Sequence, residues 1–241
     1  MRRFHTAGVT SDSADISDAE QLHYLRDVLR LKPADEVVLF DDEGNEYTCR
    51  ITGLSRKRAV LAVREKRAAP RSKTGLAVAC AIPKGNRMDD VVDSLTQLGA
   101  DKVIPMLTAR VVAKLDSARE AAKHDRWLKI ARSAARQSQR SLPEIMPVTT
   151  FEAVLALSGQ YDLKLIPALV ADGEPIRAAL AGFLGGRVLV LIGPEGDFTP
   201  AEVDAAREAG FIPVSLGDTV LRVATAAVAA ASFIRLWLAG R

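Results

Sequence analysis

Five apolar runs of strand length, Leu76–Ile82, Val103–Leu107, Leu163–Leu169, Val188–Ile192 and Ile212–Leu216, alternate with helical stretches through the last two thirds of the chain. A strand that is apolar on both faces must be covered on both, and the intervening helices can do this only around a parallel sheet. Before residue 68 the texture differs. Short alternating runs, Glu36–Phe40, Glu46–Ile51 and Ala59–Val63, are separated by Asp-Glu-Gly-Asn and Gly-Leu-Ser-Arg turns and predict a small antiparallel barrel. The change falls in the proline-containing stretch Ala68–Thr74, so the expected domains are residues 1–70 and 74–241.

One of the five runs enters a loop suited to a ligand. Residues 189–202 read LVLIGPEGDFTPAE, an apolar strand followed by two glycines around Pro194 and Glu195 and then a capped helix. Gly193 and Gly196 allow backbone conformations and close approaches that a Cβ forbids, and Thr199-Pro200 reads as N-cap and first helical residue. Neither the lysine-ended glycine loop that grips nucleoside triphosphates nor the GxGxxG of dinucleotide folds is present. A second glycine turn follows at 214–230, VSLGDTVLRVATAAVAA, ending in an alanine-rich helix.

Composition narrows the function classes. A chain of 241 residues that is 48% hydrophobic can bury a substantial core. No apolar run reaches the roughly 18 residues that span a membrane, and the first residues lack the apolar core of a signal peptide, so a cytoplasmic protein without a membrane partner is expected. Cys49 and Cys80 have no metal-ligand spacing and read as buried thiols; with only three histidines, a histidine-rich zinc site is not expected.

The net charge of +3 hides a lopsided distribution: −6 over residues 1–49, +8 over 50–73 and +1 over the remainder. The basic run Arg56, Lys57, Arg58, Arg64, Lys66, Arg67, Arg71, Lys73 is either a solvated face or a phosphate-binding surface. A helix expected from Ser117 to Gln139 carries a second group. At about 100° per residue, Arg126, Lys129, Arg132, Arg136 and Arg140 fall within an arc of about 120°.

Taken together, the GPEG loop, the LG-x3-LR-x2-TA turn and their helices resemble the C-terminal signature of the SPOUT (α/β-knot) RNA methyltransferases. Within that superfamily the chain resembles the 16S rRNA uracil-N3 methyltransferase family. The likeness runs through His23–Pro33, Lys84, Arg87, Gln97–Gly99, Pro105, Thr108–Arg110, Arg126-Trp127, Gln137–Arg140 and Pro143. Ser94 and Gln97 stand where the family usually has Lys and Glu, and Val223-Ala224 where it has Thr-Glu.

The resemblance implies an N-terminal PUA-like β-barrel, a C-terminal α/β trefoil-knot domain, and a homodimer acting on 16S rRNA in the small ribosomal subunit. It implies S-adenosyl-L-methionine as cofactor, held by Leu191, Ile192, Gly193, Pro194, Glu195, Gly196, Leu216, Gly217, Val220, Leu221, Thr225 and Ala226. Arg222 and Arg140 are the candidates for stabilising charge on the uracil oxygens. Arg110, Arg126, Lys129, Arg132, Arg136, Gln137 and Arg140 are the expected RNA contacts. No carboxylate stands at position 224, which leaves the catalytic base unassigned. Glu195 is read as orienting the cofactor, acting as base or capping the following helix. The alternatives are a ribose 2′-O methyltransferase of the same superfamily and an rRNA-binding assembly factor with weakened catalysis.

Overall fold

The computed structural model describes every residue except Met1, Ala7, Pro70, Arg71, Lys73, 112–116, Ala171, Gly240 and Arg241. Arg71 and Lys73 of the basic run, with part of the expected linker, therefore lie outside the described residues. The chain divides into two compact units, Met1–Arg71 with Ala135–Leu142, and Ser72–Ala134 with Pro143–Arg241.

In the first unit, β1 (Arg3–His5), β2 (Ser13–Ile16), α1 (Ala19–His23), a π-helical turn (Tyr24–Val28), β3 (Glu36–Phe40), β4 (Asn45–Leu54) and β5 (Ala59–Ala68) follow one another. The sheet order is β1-β3-β4-β5-β2, antiparallel except for β1 beside β3. Phe4, Ile16, Leu25, Leu39, Cys49, Ile51 and Leu61 fill its core. Strand β5 continues five residues beyond the apolar run. Its basic segment Arg64–Arg67 has no strand periodicity, yet the backbone of Glu65–Ala68 pairs with Asn45–Thr48 of β4, Arg64 falling at a register shift, and hydrogen bonding between strands is indifferent to side-chain polarity.

In the second unit the elements are β6 (Gly75–Ala81), α2 (Arg87–Gln97), β7 (Lys102–Leu107), α3 (Ser117–Ser138), β8 (Glu144–Ile145), β9 (Thr149–Thr150), α4 (Phe151–Leu157), β10 (Leu163–Pro167), β11 (Glu174–Pro175), α5 (Ile176–Leu180), β12 (Arg187–Ile192), α6 (Pro200–Glu208), β13 (Ile212–Ser215) and α7 (Val223–Ala239). The last turn of α3 is the part that belongs to the first unit. The sheet is parallel throughout, in the order β11-β13-β10-β12-β6-β7-β8, with β9 also against β7. Each of the five apolar runs supplies one of its strands. Helix α2 buries Met88, Val91, Val92, Leu95 and Thr96, the i, i+3, i+4, i+7 stripe of an amphipathic helix. Helix α7 buries Val223, Ala227, Ala230, Ala231 and Ile234, and the small alanine side chains let it lie close against α2, β6 and β12. To reach that position from β13 the chain must return past β10, and residues 216–222 make this crossing.

A buried cluster in the first unit holds the end of α3. The Arg3 guanidinium donates to the carbonyls of Ala135 (3.0 Å) and Arg140 (2.7 Å), pairs with Glu46 at 2.8 Å and lies 4.5 Å from the Phe40 ring centre. A cation at a helix C-terminus satisfies carbonyls that have no intrahelical partner. Gln139, at φ +57°, ends the helix. Arg140 thus lies beyond α3, and the projected arc holds only for Arg126, Lys129, Arg132 and Arg136.

Candidate functional site

A cleft opens at the C-terminal ends of β10, β12 and β13, where ligands sit in open parallel sheets. Three chain segments wall it: Pro167–Leu169, Ile192–Asp197 apart from Gly196, and 214–226 in part. Of the residues that the resemblance assigns to the cofactor, Ile192, Gly193, Pro194, Glu195, Leu216, Gly217, Val220, Leu221 and Ala226 line it. Leu191, Gly196 and Thr225 do not. Leu191 is fully buried and turns into the core with Ala79, Leu189 and Phe198, because successive strand residues face opposite sides of the sheet. Gly196 and Thr225 are exposed outside the lining. Pro167–Leu169, Asp197, Val214, Ser215, Thr219 and Val223 line it as well, although no sequence motif assigns them to it. Nothing local marks Pro167–Leu169; only the pairing of β10 with β12 and β13 brings that strand end to the site.

The two glycine turns work differently. In the first loop the left-handed residue is Asp197 (φ +60°), not a glycine. Gly193 is required by packing, since a Cβ there would meet the Phe198 ring at 3.0 Å. In the second, Gly217 has φ +125° and open space around it, so the backbone conformation itself demands glycine. Its amide donates to Ser215 Oγ at 3.2 Å.

The first loop is braced from three directions. Asp197 accepts from the Leu169 amide at 2.8 Å, joining two walls of the cleft. Glu195 accepts from the Lys84 amide at 3.2 Å and faces Arg87 at 3.7 Å. It does not cap the next helix. That task falls to Thr199 and Glu202, which form a capping box on α6. Glu202 is buried and also accepts from the Ala109 amide at 2.8 Å, across 93 residues of sequence. Arg110, expected as an RNA contact, donates its guanidinium to the Gly196 carbonyl and lies 3.5 and 3.4 Å from those of Asp197 and Phe198. Beneath the loop, the Cys80 thiol is pushed up to about 12 by burial and by the negative charge of Glu195.

The other candidate cations are spread along the chain. Arg222 is exposed between cleft-lining Leu221 and Val223, and its side chain has no partner among the described residues. On α3, Arg126 pairs with Asp89, Lys129 is exposed, Arg132 is half-buried and Arg136 lies 4.7 Å from the Tyr24 ring centre. Gln137 and Arg140 are exposed. Among the described residues no cluster of potential ligands suits a metal ion, and no helix is long and apolar enough to cross a membrane.

Comparison with known proteins agrees with this architecture. An RNA methyltransferase domain model matches residues 70–235 and an RNA methyltransferase PUA domain model matches residues 16–64. Ribosomal RNA small subunit methyltransferase E of Bacillus subtilis is 30% identical over 89% of this chain and 87% of its own length. The protein of the same name from Synechocystis is 33% identical over 90% of this chain and 71% of its own. The crystal structure of the Neisseria gonorrhoeae protein of that name, bound to S-adenosyl methionine, superposes with a TM-score of 0.82 at 27% identity, covering 98% of both chains. With a PUA-like barrel followed by a SPOUT α/β-knot domain, and with relatives matched along almost its whole length, the chain belongs to the ribosomal RNA small subunit methyltransferase E family.

Proposed function

We propose that this protein transfers the methyl group of S-adenosylmethionine to N3 of a uridine in 16S ribosomal RNA. The observation that supports this reading is the cleft at the ends of β10, β12 and β13, lined by loop residues that are mostly apolar, with Glu195, Asp197, Ser215 and Thr219 among them, in a chain of this family. Its lining, apolar with a few polar groups, suits a nucleoside-like ligand. Ile192, Leu216, Leu221 and Ala226 supply apolar walls for an adenine ring, and the backbone around Gly193 and Gly217 supplies donors and acceptors for its polar edges. The cofactor supplies an electrophilic methyl group on a positively charged sulfur.

The chain's own residues must align the uracil and accommodate charge. Uracil N3 carries a proton, and as that proton leaves, negative charge spreads onto the two neighbouring carbonyl oxygens. Arg222, exposed beside the cleft and without a side-chain partner among the described residues, is proposed to stabilise that charge. Arg140 is proposed for the same task on the strength of the family resemblance. Ala224 in the first turn of α7 offers no carboxylate to accept the proton, so no acceptor is assigned at that position. The exposed cations of α3 and of the β4–β5 hairpin are proposed to contact RNA phosphates, and the working form is proposed to be a homodimer.

The test is to incubate the protein with labelled S-adenosylmethionine and small subunits from cells lacking their own enzyme, and to identify the methylated nucleoside by mass spectrometry. The expected product is 3-methyluridine, with Arg222→Ala reducing its rate while cofactor affinity is retained. A 2′-O-methylated product refutes the N3 assignment. Binding of subunits without methylation, relieved when Thr-Glu replaces Val223-Ala224, identifies a weakened enzyme.

A further inference from the structure

We infer that Glu202 and Arg110 are positioning residues of the cofactor cleft, fastening the loop after β7 onto the glycine loop and thereby holding Gly193–Asp197 in its ligand-ready shape. The inference rests on the reading that this cleft takes S-adenosylmethionine. Neither residue lines the cleft. Glu202 is 8% exposed, and its carboxylate accepts three hydrogen bonds, from the Thr199 amide (2.8 Å), the Thr199 hydroxyl (3.0 Å) and the Ala109 amide (2.8 Å). The first two complete a helix cap, which a capping box needs for its own sake. The third serves no cap. It ties residue 109 to the start of α6 and sets the next residue, Arg110, against the glycine loop.

Arg110 then meets the backbone where the loop is least able to hold itself. Gly196 contributes no side chain, Asp197 sits at φ +60°, and the carbonyls of Gly196, Asp197 and Phe198 converge on the one guanidinium. Carbonyls turned toward one cation leave the loop a single favoured arrangement. On the opposite side the Asp197 carboxylate holds the Leu169 amide, so the shape imposed at Arg110 reaches the facing wall of the cleft. With either brace removed, the glycine loop samples other conformations, and apparent cofactor affinity falls by the fraction of time the competent one is lost. Arg110 accordingly acts on the cofactor site and does not serve as a phosphate contact.

The experiment measures S-adenosylmethionine affinity calorimetrically on RNA-free protein, together with amide hydrogen exchange at Ala109 and Asp197. Glu202→Ala and Arg110→Ala are expected to weaken binding by about tenfold, the effect of a loop that is competent about a tenth of the time, and to speed exchange at Asp197. Glu202→Gln, whose single carbonyl oxygen can accept from Ala109 or from the Thr199 amide but not from both, should weaken binding less than Glu202→Ala. Thr199→Ala breaks the same helix cap and leaves the bond to Ala109 in place, so it should lower the melting temperature as Glu202→Ala does with less than twofold change in affinity. Unchanged cofactor affinity in both Glu202→Ala and Arg110→Ala overturns the inference, as does an equal loss in Thr199→Ala. Weakened RNA binding by Arg110→Ala with cofactor affinity intact returns Arg110 to the RNA surface. Wild-type protein that fails to bind S-adenosylmethionine, while the variants still show faster exchange at Asp197, defeats the cofactor reading and leaves the brace standing.

Discussion

Replacing Arg3 by Met tests how the end of α3 is held. Arg3 is 7% exposed and its partner Glu46 4%. Burial pulls the guanidinium below its usual range and Glu46 pulls it back, the balance expected of a cation kept inside by one carboxylate. Methionine fills much of the same volume but abandons the Ala135 and Arg140 carbonyls and half of the Glu46 interaction. Removing one partner of a buried pair costs about 3–5 kcal/mol when the other is left alone. Glu46 is not left alone, because Arg67 binds its other oxygen at 2.8 and 3.0 Å from the protein surface. A cost of about 2–4 kcal/mol is therefore expected, combining the two lost carbonyl bonds with a partly compensated carboxylate. Arg67→Ala, at a side chain 58% exposed, should cost about 1 kcal/mol or less. Urea unfolding followed by circular dichroism gives both values, and hydrogen exchange should rise first at Ser138 and Gln139. Arg3→Met combined with Glu46→Leu should be less destabilised than the two single costs added, since no buried charge is stranded. The reasoning is refuted if Arg3→Met costs no more than Arg67→Ala.

Three further outcomes follow from the geometry. Gly217→Val should reduce cofactor affinity at least tenfold, because valine at φ +125° has open space but a forbidden backbone, whereas Gly193→Val should also lower the melting temperature by driving into Phe198; equal, unchanged affinities in calorimetry would contradict both. Burial pushes Cys49 up to about 11 and Cys80 up to about 12, so neither should react with a thiol reagent at pH 8 until the protein unfolds; because the unfolded thiols ionise first, stability should fall as pH climbs above about 9, and rapid labelling of native protein would disprove this. Lys129→Ala with Arg136→Ala should flatten the salt dependence of RNA binding by up to about one unit of log-log slope per lost phosphate contact, and an unaltered slope would mark that face of α3 as merely solvated.

What the sequence alone determined was set by short-range chemistry. The apolar runs predicted β6, β7, β10, β12 and β13 of the parallel sheet within a residue or two, since a strand covered on both faces has no other composition available. Thr199-Pro200 marked the start of α6 because helix caps are local. Glu36–Phe40 appeared as a strand with its bounds intact. Strands β1, β2, β8, β9 and β11, of two to four residues each, left no mark, because they are short and carry no continuous apolar run, and each exists only where a partner strand accepts it.

Tertiary structure decided the rest wherever the deciding partner is remote in sequence. The side of β12 that faces the cleft separates Ile192, in the lining, from Leu191, in the core, and both look alike as letters. Pro167–Leu169 joins the site only because the sheet places β10 between β12 and β13. Arg110 read as one cation among many until the fold aimed it at the carbonyls of residues 196–198. Arg3 carried no signal at all, although it anchors a helix end more than 130 residues away. A hydrogen bond needs atoms within about 3 Å and is blind to how much chain lies between them; periodicity and caps can be read along the chain, while braces of this kind exist only once it has folded.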